Sequence, residues 1–211
     1  MKLYIDCTNG VSSDMILNAL RDLGASGKVP EVPDPGHRSF TAIRRTIEAL
    51  PVNDTVRAGA ISIYKVIAEA EAEVHGETLE TVHFHEVGRV EAMRNIVGIA
   101  AALDELAAED GSGIEKILVS PVHDGHGSIE CSHGRIPVPV PAVQAMKKHC
   151  DYDFETDDIE TEMVTPSGLA VLIGIGAEKA GKTVPGRMIR SGTGRGTRDT
   201  GRDGMTVSIF K

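Results

Sequence analysis

The stretch KLYIDCTNGVSSDMILNALRDLG, residues 2–24, decides the fold class of this chain. Its opening residues, Lys2–Asp6, are short, apolar and β-prone, as expected of a first strand. After a short turn, apolar residues recur at helical spacing, with Ser12 or Ser13 as a natural N-cap. Asp14 then falls in the first turn, where the helix dipole favours an anion. A strand, a short loop and an amphipathic helix in this order indicate an α/β protein.

The rest of the chain continues the loose alternation of helices and strands. A Gly- and Pro-rich connector is predicted at residues 25–38. Further helices are predicted from residue 53 or 54 to 75, over 90–110, from 141 to about 149 and from 166 onward. Further strands are predicted at 114–122, 128–131 and 206–210. We therefore predict a single α/β domain over residues 1–211, with a mixed β-sheet and packed amphipathic helices.

Composition excludes several classes of function. Aromatic residues make up only 3% of the chain and the net charge is -9, which argues against binding of single-stranded or duplex nucleic acid. The three cysteines are widely spaced and form no Cys-x-x-Cys pair, as in proteins of a reducing cytosol. No signal peptide and no apolar run of membrane-spanning length is present, so we predict a cytoplasmic protein without membrane contact.

The segment His83-Phe84-His85-Glu86-Val87-Gly88 carries the strongest chemical signal. In an extended conformation, alternation places His83 and His85 on one face and Phe84 on the other. Two imidazoles with the Glu86 carboxylate beside them suit a borderline metal such as nickel or zinc. The alternative is a helix-entry loop in which both histidines are surface residues and Glu86 favours the helix dipole.

The first loop and the helix after it also form a candidate anion site. Asp6 and Asp14 would repel a bare phosphate, so an anion here would require a bound cation. The alternative is that Asp14 is simply a first-turn acid.

A second candidate anion site lies near the C-terminus, where arginines surround a glycine-rich loop. Backbone N–H groups and guanidinium forks in such a loop can cradle a phosphate. The predicted phosphate-binding residues are Gly194, Arg195, Gly196, Thr197 and Arg198. The alternative is a solvated hairpin tip. Residues 151–162, with seven acids in twelve positions, are predicted to form a solvated acidic loop.

Five of the eight histidines fall in Gly-flanked loops at predicted element ends, where α/β scaffolds carry their sites: His83, His85, His123, His126 and His133. Together with the Arg/Gly loop, they indicate a site that combines histidine and carboxylate ligands with an anion pocket. A metal acting with a phosphorylated small molecule fits this combination.

Several blocks taken together resemble a known family. They are DCTNGVSSDMILNALRDLG (6–24), AEAEAEVHGETLETVHFHEVGRVEAMRNIVG (68–98), CSHGRIPVPVPAV (131–143), EMVTPSG (162–168) and GTGRGTRD (192–199). The chain resembles the N-terminal part of the LarC-type nickel insertion proteins, the pyridinium-3,5-bisthiocarboxylic acid mononucleotide nickel chelatases. The resemblance implies a lyase-class chelatase that loads Ni²⁺ into the pincer nucleotide cofactor of lactate racemase and uses CTP with Mg²⁺ or Mn²⁺.

The resemblance also assigns roles to residues of this chain. It implies His83, His85, Glu86 and His133 as metal ligands. It implies Asp6, Asp14 and Glu86 as catalytic residues. The assignment of the loop from Gly194 to Arg198 to the mononucleotide phosphate depends on charge alone.

The chain departs from the family pattern at several positions. Ser13 replaces a glycine, and Glu91 and Asn95 stand where the family places two aspartates. The connector is short, and the family's CTP-binding C-terminal region is absent, so we expect a separately made C-terminal LarC domain as partner. Self-association remains open. Two rival interpretations are a non-catalytic nickel-binding or scaffold paralogue and a metal-dependent hydrolase of a phosphorylated small molecule.

Overall fold

The computed structural model describes residues 1–111, 113–131, 134–181 and 183–211. The helices in these ranges are α1 (Ser13–Asp22), α2 (Phe40–Ala49), α3 (Asp54–His75), α4 (Val90–Asp110), α5 (Pro141–Lys147) and α6 (Pro166–Gly174). The strands are β1 (Lys2–Asp6), β2 (Lys116–Val119), β3 (Val122–Asp124), β4 (Ser128–Cys131), β5 (Gly134–Pro137), β6 (Phe154–Thr156), β7 (Glu178–Lys179), β8 (Met188–Gly194) and β9 (Met205–Phe210).

A five-stranded sheet in the order β7-β2-β1-β9-β8 organises the fold. The central strand β1 pairs in parallel with β2 and antiparallel with β9, which brings Lys2 opposite Phe210. Strands β3 and β6 form a separate parallel pair, and β4 and β5 form an antiparallel hairpin. The prediction of an α/β fold with a mixed sheet is confirmed.

Helices cover the apolar face of the sheet. Helix α1 packs across β8 and β9, and it also contacts α4 and α6. The long helix α3 packs against α2, α4, α5 and α6. Leu3 and Ile5 alternate with more exposed residues along β1 and are buried beneath this helical layer. Because aromatic residues are scarce, the core is mainly aliphatic.

The helix ends follow the local capping signals in the sequence. Asn53 and Thr165 accept hydrogen bonds from backbone N–H groups of the first turns of α3 and α6 at 2.9 and 3.1 Å. Ser12 caps α1. Gly76 ends α3 in the left-handed conformation, with φ of 66°, which glycine adopts without steric cost.

Two elements differ from the predicted arrangement. The single strand predicted over residues 114–122 is divided between β2 and β3, which belong to different sheets. Pro121 carries no N–H, and the Ser120 side chain accepts a hydrogen bond from the Cys7 N–H at 2.8 Å, so the chain changes direction here. Helix α2 has no counterpart among the predicted elements, although Ile43 and Ile47 lie four residues apart on its buried face.

Among the helices of the described residues, none combines the length and the apolar composition needed to cross a membrane.

Candidate functional site

A cleft of about 390 Å³ lies where the loop after β1, the start of α1, the segment before α6 and the β8–β9 loop meet. We call it the arginine cleft. Its walls carry both charges, and they are formed by Asn9, Ser12, Asp14, Met15, Glu162, Met163, Thr165, Arg195, Gly196, Thr197, Arg198, Asp199, Thr200, Arg202, Asp203 and Gly204. Four of the five residues predicted to bind phosphate, Arg195 to Arg198, are among them.

The start of α1 fixes the β8–β9 loop in place. The Asp14 carboxylate accepts a hydrogen bond from the Thr197 N–H at 2.9 Å. The Asn18 amide donates to the Arg195 carbonyl at 2.9 Å, and the Asn9 amide donates to the Gly204 carbonyl at 3.1 Å. Asp14 is therefore more than a first-turn acid, because it joins the first loop to the arginine-bearing loop.

An ion pair crosses the arginine cleft. Arg198 Nη2 lies 3.0 Å from Glu162 Oε2, and the side chains are 43% and 6% exposed. Burial raises the pKa of Glu162 to about 7. The Arg198 guanidinium acts in the opposite direction, and the carboxylate of Asp124 adds to the rise. The site therefore holds a carboxylate that changes charge near neutral pH, in direct contact with the Arg198 guanidinium.

Asp124 positions the segment that carries Glu162. Its Oδ1 accepts backbone N–H groups from Gly125, Met163 and Val164 at 2.9, 3.0 and 3.0 Å. Its Oδ2 is buried and, among the described residues, has no hydrogen-bond partner. Burial raises the pKa of Asp124, and the three N–H groups oppose that rise. Asp124 thus clamps the backbone directly behind the cleft wall.

A second arginine of the same loop is held in a similar way. Arg202 Nη2 contacts Asp157 Oδ2 at 2.7 Å, and Asp157 Oδ1 lies 2.8 Å from His123 Nδ1. The prediction that residues 151–162 form a solvated acidic loop is therefore wrong in part. Phe154–Thr156 form β6, and the side chains of Asp157 and Glu162, only 15% and 6% exposed, pair with arginines of the β8–β9 loop.

Gly194, from the predicted phosphate loop, and Gly192, two residues before it, serve packing. Gly192 and Gly194 belong to β8 and press against α1. A Cβ at Gly192 would lie 2.4 Å from the Ala19 carbonyl oxygen, and one at Gly194 would lie 2.0 Å from that of Met15. Gly194, although predicted to bind phosphate, does not line the arginine cleft. The glycine requirement at these two positions comes from close helix–strand contact.

Residues 83–88, which we call the histidine bend, lie outside the arginine cleft. Phe84 is fully buried, whereas His83 and His85 are exposed, as alternation predicted. The Phe84 ring lies 6.1 Å from that of Tyr64, whose hydroxyl donates to the Val87 carbonyl at 3.0 Å. The buried ring anchors the bend and leaves both imidazoles at the surface, with their centroids 6.0 Å apart.

The remaining predicted site residues do not converge on one centre. Glu86 pairs with Arg89 at 3.0 Å. Asp6 accepts hydrogen bonds from the Thr8 N–H and hydroxyl at 3.0 and 2.7 Å, and it does not line the arginine cleft. His133, a predicted metal ligand, lies outside the described residues.

No closed metal cage is formed in the ranges that the structure describes. No group of three or more His, Cys, Asp or Glu side chains there is arranged to hold a metal ion. The exposed imidazoles of the histidine bend suit a cation held by few protein ligands and readily exchanged.

Sequence reasoning did not identify Glu162, Asp124 and Asp157 as site residues. Glu162 stands directly before Met163 and Val164, two apolar residues that precede α6. Asp124 is the last residue of β3 and precedes a glycine. The pairings of Glu162 with Arg198, Asp124 with Val164 and Asp157 with Arg202 span 36, 40 and 45 residues of the chain, so no local pattern indicates them.

Comparison with known proteins places these features in context. The model of a family described as nickel insertion proteins matches residues 28–207. A pyridinium-3,5-bisthiocarboxylic acid mononucleotide nickel insertion protein of Acetivibrio thermocellus is 37% identical over 95% of this chain and 58% of its own length. Proteins of the same name from Akkermansia muciniphila and Staphylococcus saprophyticus are each 32% identical over 93% of this chain and 56% of their own length. The chain thus spans somewhat more than half the length of these relatives, and no solved structure matches it.

Proposed function

We propose that this chain, which belongs to the nickel insertion protein family, takes up Ni²⁺ at the histidine bend. We also propose that it binds a pyridinium mononucleotide in the arginine cleft. The nucleotide would be the pyridinium-3,5-bisthiocarboxylic acid mononucleotide named for its relatives. Insertion of nickel would give the pincer cofactor of lactate racemase. The observation that carries the proposal is an arginine-bearing cleft in a chain of this family.

The nickel-binding part of the proposal depends on His83 and His85. Both side chains are exposed on one face of a bend anchored by buried Phe84. Neutral imidazoles bind nickel well, and a site with few protein ligands leaves coordination positions to water. Thiocarboxylate sulfurs can replace such ligands one at a time. Glu86 can join only by leaving Arg89, which costs little because both side chains are about half exposed.

The nucleotide-binding part of the proposal depends on Arg195, Arg198 and Arg202. A phosphate monoester carries about −1.5 to −2 charges near neutral pH and accepts charge-assisted hydrogen bonds from guanidinium groups. Arg198 is 43% exposed and already oriented by Glu162. A bound phosphate would replace Glu162 as the hydrogen-bond acceptor of Arg198, because Glu162 is more buried and ionises less easily.

Release of Arg198 has a consequence for protonation. Among the described residues, the charges that act on the pKa of Glu162 are those of Arg198, which lowers it, and Asp124, which raises it. When phosphate engages Arg198, Glu162 loses its compensating charge and takes up a proton from solution. Nucleotide binding near pH 7 to 8 is therefore expected to be accompanied by proton uptake, which calorimetry in buffers of different ionisation enthalpy measures.

Binding of nicotinic acid mononucleotide, a stable pyridinium nucleotide with the same phosphate, tests the cleft directly. We expect Arg198→Ala to weaken binding by about 10- to 100-fold, because a hydrogen bond to a charged group contributes about 1.5–3 kcal/mol. Arg44→Ala, an exposed arginine of α2 that does not line the cleft, is the matched control. Unchanged affinity in Arg198→Ala would exclude this cleft as the phosphate site.

The complete reaction requires a wider test, since relatives are nearly twice as long as this chain. The chain is mixed with Ni²⁺, the bisthiocarboxylate nucleotide and CTP with Mg²⁺ or Mn²⁺, with and without a separately made C-terminal LarC domain. We expect nickel-loaded nucleotide only when the domain is added. If neither mixture gives product while an intact relative does, the chelatase proposal fails.

A nickel-binding paralogue without turnover is the second candidate. It is favoured by Asn95, which stands in place of a family carboxylate. Nickel binding that disappears in the double variant His83→Ala/His85→Ala, together with no affinity for the nucleotide, would favour it over the chelatase.

A further inference from the structure

Four histidines form a continuous row on the surface around the histidine bend. The ring centroids of His37 and His83 are 5.1 Å apart, those of His83 and His85 are 6.0 Å apart, and those of His85 and His75 are 6.3 Å apart. All four residues are exposed. His37 lies near the end of the Gly- and Pro-rich connector, and His75 is the last residue of α3.

The backbone holds these segments in fixed positions relative to one another. Ser39 and His83 form an antiparallel bridge, and the Phe84 N–H donates to the Arg38 carbonyl at 2.8 Å. The buried Phe84 side chain then fixes this short paired segment to the core. Because of this pairing, His37 lies next to a bend that is more than forty residues away in sequence.

The ring spacings are compatible with shared metal ions. A metal–nitrogen bond of about 2.1 Å places the ion about 3.2 Å from a ring centroid, so two imidazoles on one ion have centroids roughly 4.5 to 6.4 Å apart. The 5.1 Å spacing of His37 and His83 fits ligands at adjacent coordination positions. The spacings of 6.0 and 6.3 Å fit more nearly opposite positions.

A neighbouring carboxylate adds negative charge at one end of the row. Glu71 Oε2 lies 3.4 Å from His75 Nε2, and its side chain is only 17% exposed. A carboxylate beside an imidazole orients that ring as a metal ligand, and its charge favours a nearby cation.

We propose that His37 and His75 extend the His83–His85 pair into a four-histidine row that binds Ni²⁺ two imidazoles at a time. This inference depends on the nickel uptake proposed for the histidine bend. His37 is the decisive member, because it makes the closest ring contact and comes from a separate segment of the chain. With two protein ligands per ion, water fills the remaining positions, so the ion stays exchangeable.

Titration of the whole chain with Ni²⁺ alone, followed by calorimetry, tests the row without any nucleotide. We expect His37→Ala and His37→Gln to weaken nickel binding on the order of 10-fold or more, since even loss of a group that only supports a metal ligand costs 10- to 100-fold. His126→Ala, an exposed histidine that pairs with Asp158 outside the row, is the matched control and should bind as the wild type does.

Paramagnetic broadening of imidazole NMR signals by sub-stoichiometric Ni²⁺ gives a second readout. We expect the signals of His37, His75, His83 and His85 to broaden together and before that of His126. Wild-type affinity in both His37 variants, with binding lost in His83→Ala, would overturn the row and leave nickel uptake at the bend intact. Wild-type affinity in His83→Ala as well would overturn both proposals.

Discussion

Replacement of Glu162 by glutamine isolates the effect of one buried carboxylate on stability. The pKa of Glu162 is raised from 4.5 to about 7, chiefly by burial. Because the folded-state pKa is the higher one, protonated Glu162 contributes to the free energy of unfolding. This contribution is fully present below pH 4.5 and is lost as the pH rises through 7. At about 1.4 kcal/mol per pKa unit, ionised Glu162 lowers the free energy of unfolding by about 3 kcal/mol.

Glutamine has nearly the same shape and does not ionise, so it removes this pH dependence. We expect the free-energy difference between Glu162→Gln and wild type to grow by about 2–3 kcal/mol, in favour of the variant, between pH 5 and pH 8.5. Urea denaturation at intervals across this range measures the difference. Taking the difference cancels the contributions of titrating groups that do not interact with Glu162, including the lowered pKa values of Glu73 and Glu105.

Glu160→Gln is the matched control, because Glu160 is exposed and lies two residues before Glu162. Its free-energy difference from the wild type should stay constant within a few tenths of a kcal/mol. A constant difference for Glu162→Gln as well would refute the reasoning, because it would mean that Glu162 ionises equally easily in the folded and unfolded protein.

Two further substitutions test the packing. Gly194→Ala should lower the free energy of unfolding by more than about 3 kcal/mol, since its Cβ would lie 2.0 Å from an α1 carbonyl oxygen. The control is Gly181→Ala, where the atom nearest to the added Cβ is 4.0 Å away. Equal losses in the two variants would contradict this explanation. Phe84→Ala should lower the free energy of unfolding by about 3–5 kcal/mol, and Phe84→Leu should lower it far less. Thermal unfolding measures both effects. An equal Tm for Phe84→Ala and the wild type would show that the ring does not anchor the histidine bend.

Elements specified by local signals could be predicted from the sequence. Helix α3 combines a regular apolar period with an N-cap at Asn53 and a C-terminal Gly76, and it was predicted to within a residue. The outward orientation of His83 and His85 likewise follows from alternation beside one large apolar residue. In both cases the signal that allows the prediction lies in neighbouring residues.

Features that depend on distant partners could not be predicted in this way. Glu162 and Asp157 belong to an acidic run that reads as solvated, yet arginines of the β8–β9 loop cover them. Gly194 reads as part of a phosphate cradle, whereas it makes room for α1. The contact of His37 with His83 arises from a backbone bridge between distant segments. In each case the missing information is tertiary pairing, which changes the burial and charge that a residue experiences.

The position of β9 between β1 and β8 has a consequence for synthesis on the ribosome. Strand β1 is made first, but its antiparallel partner comes last, with Lys2 opposite Phe210. At about 5–20 residues per second, one edge of β1 stays unpaired for roughly 10–40 s. Open strand edges can pair with other chains, so this edge of β1 is open to non-native pairing over this interval. Loss of β9 by early termination would leave β1 with an exposed apolar edge. It would also leave β8 unpaired, because among the described strands β8 pairs only with β9.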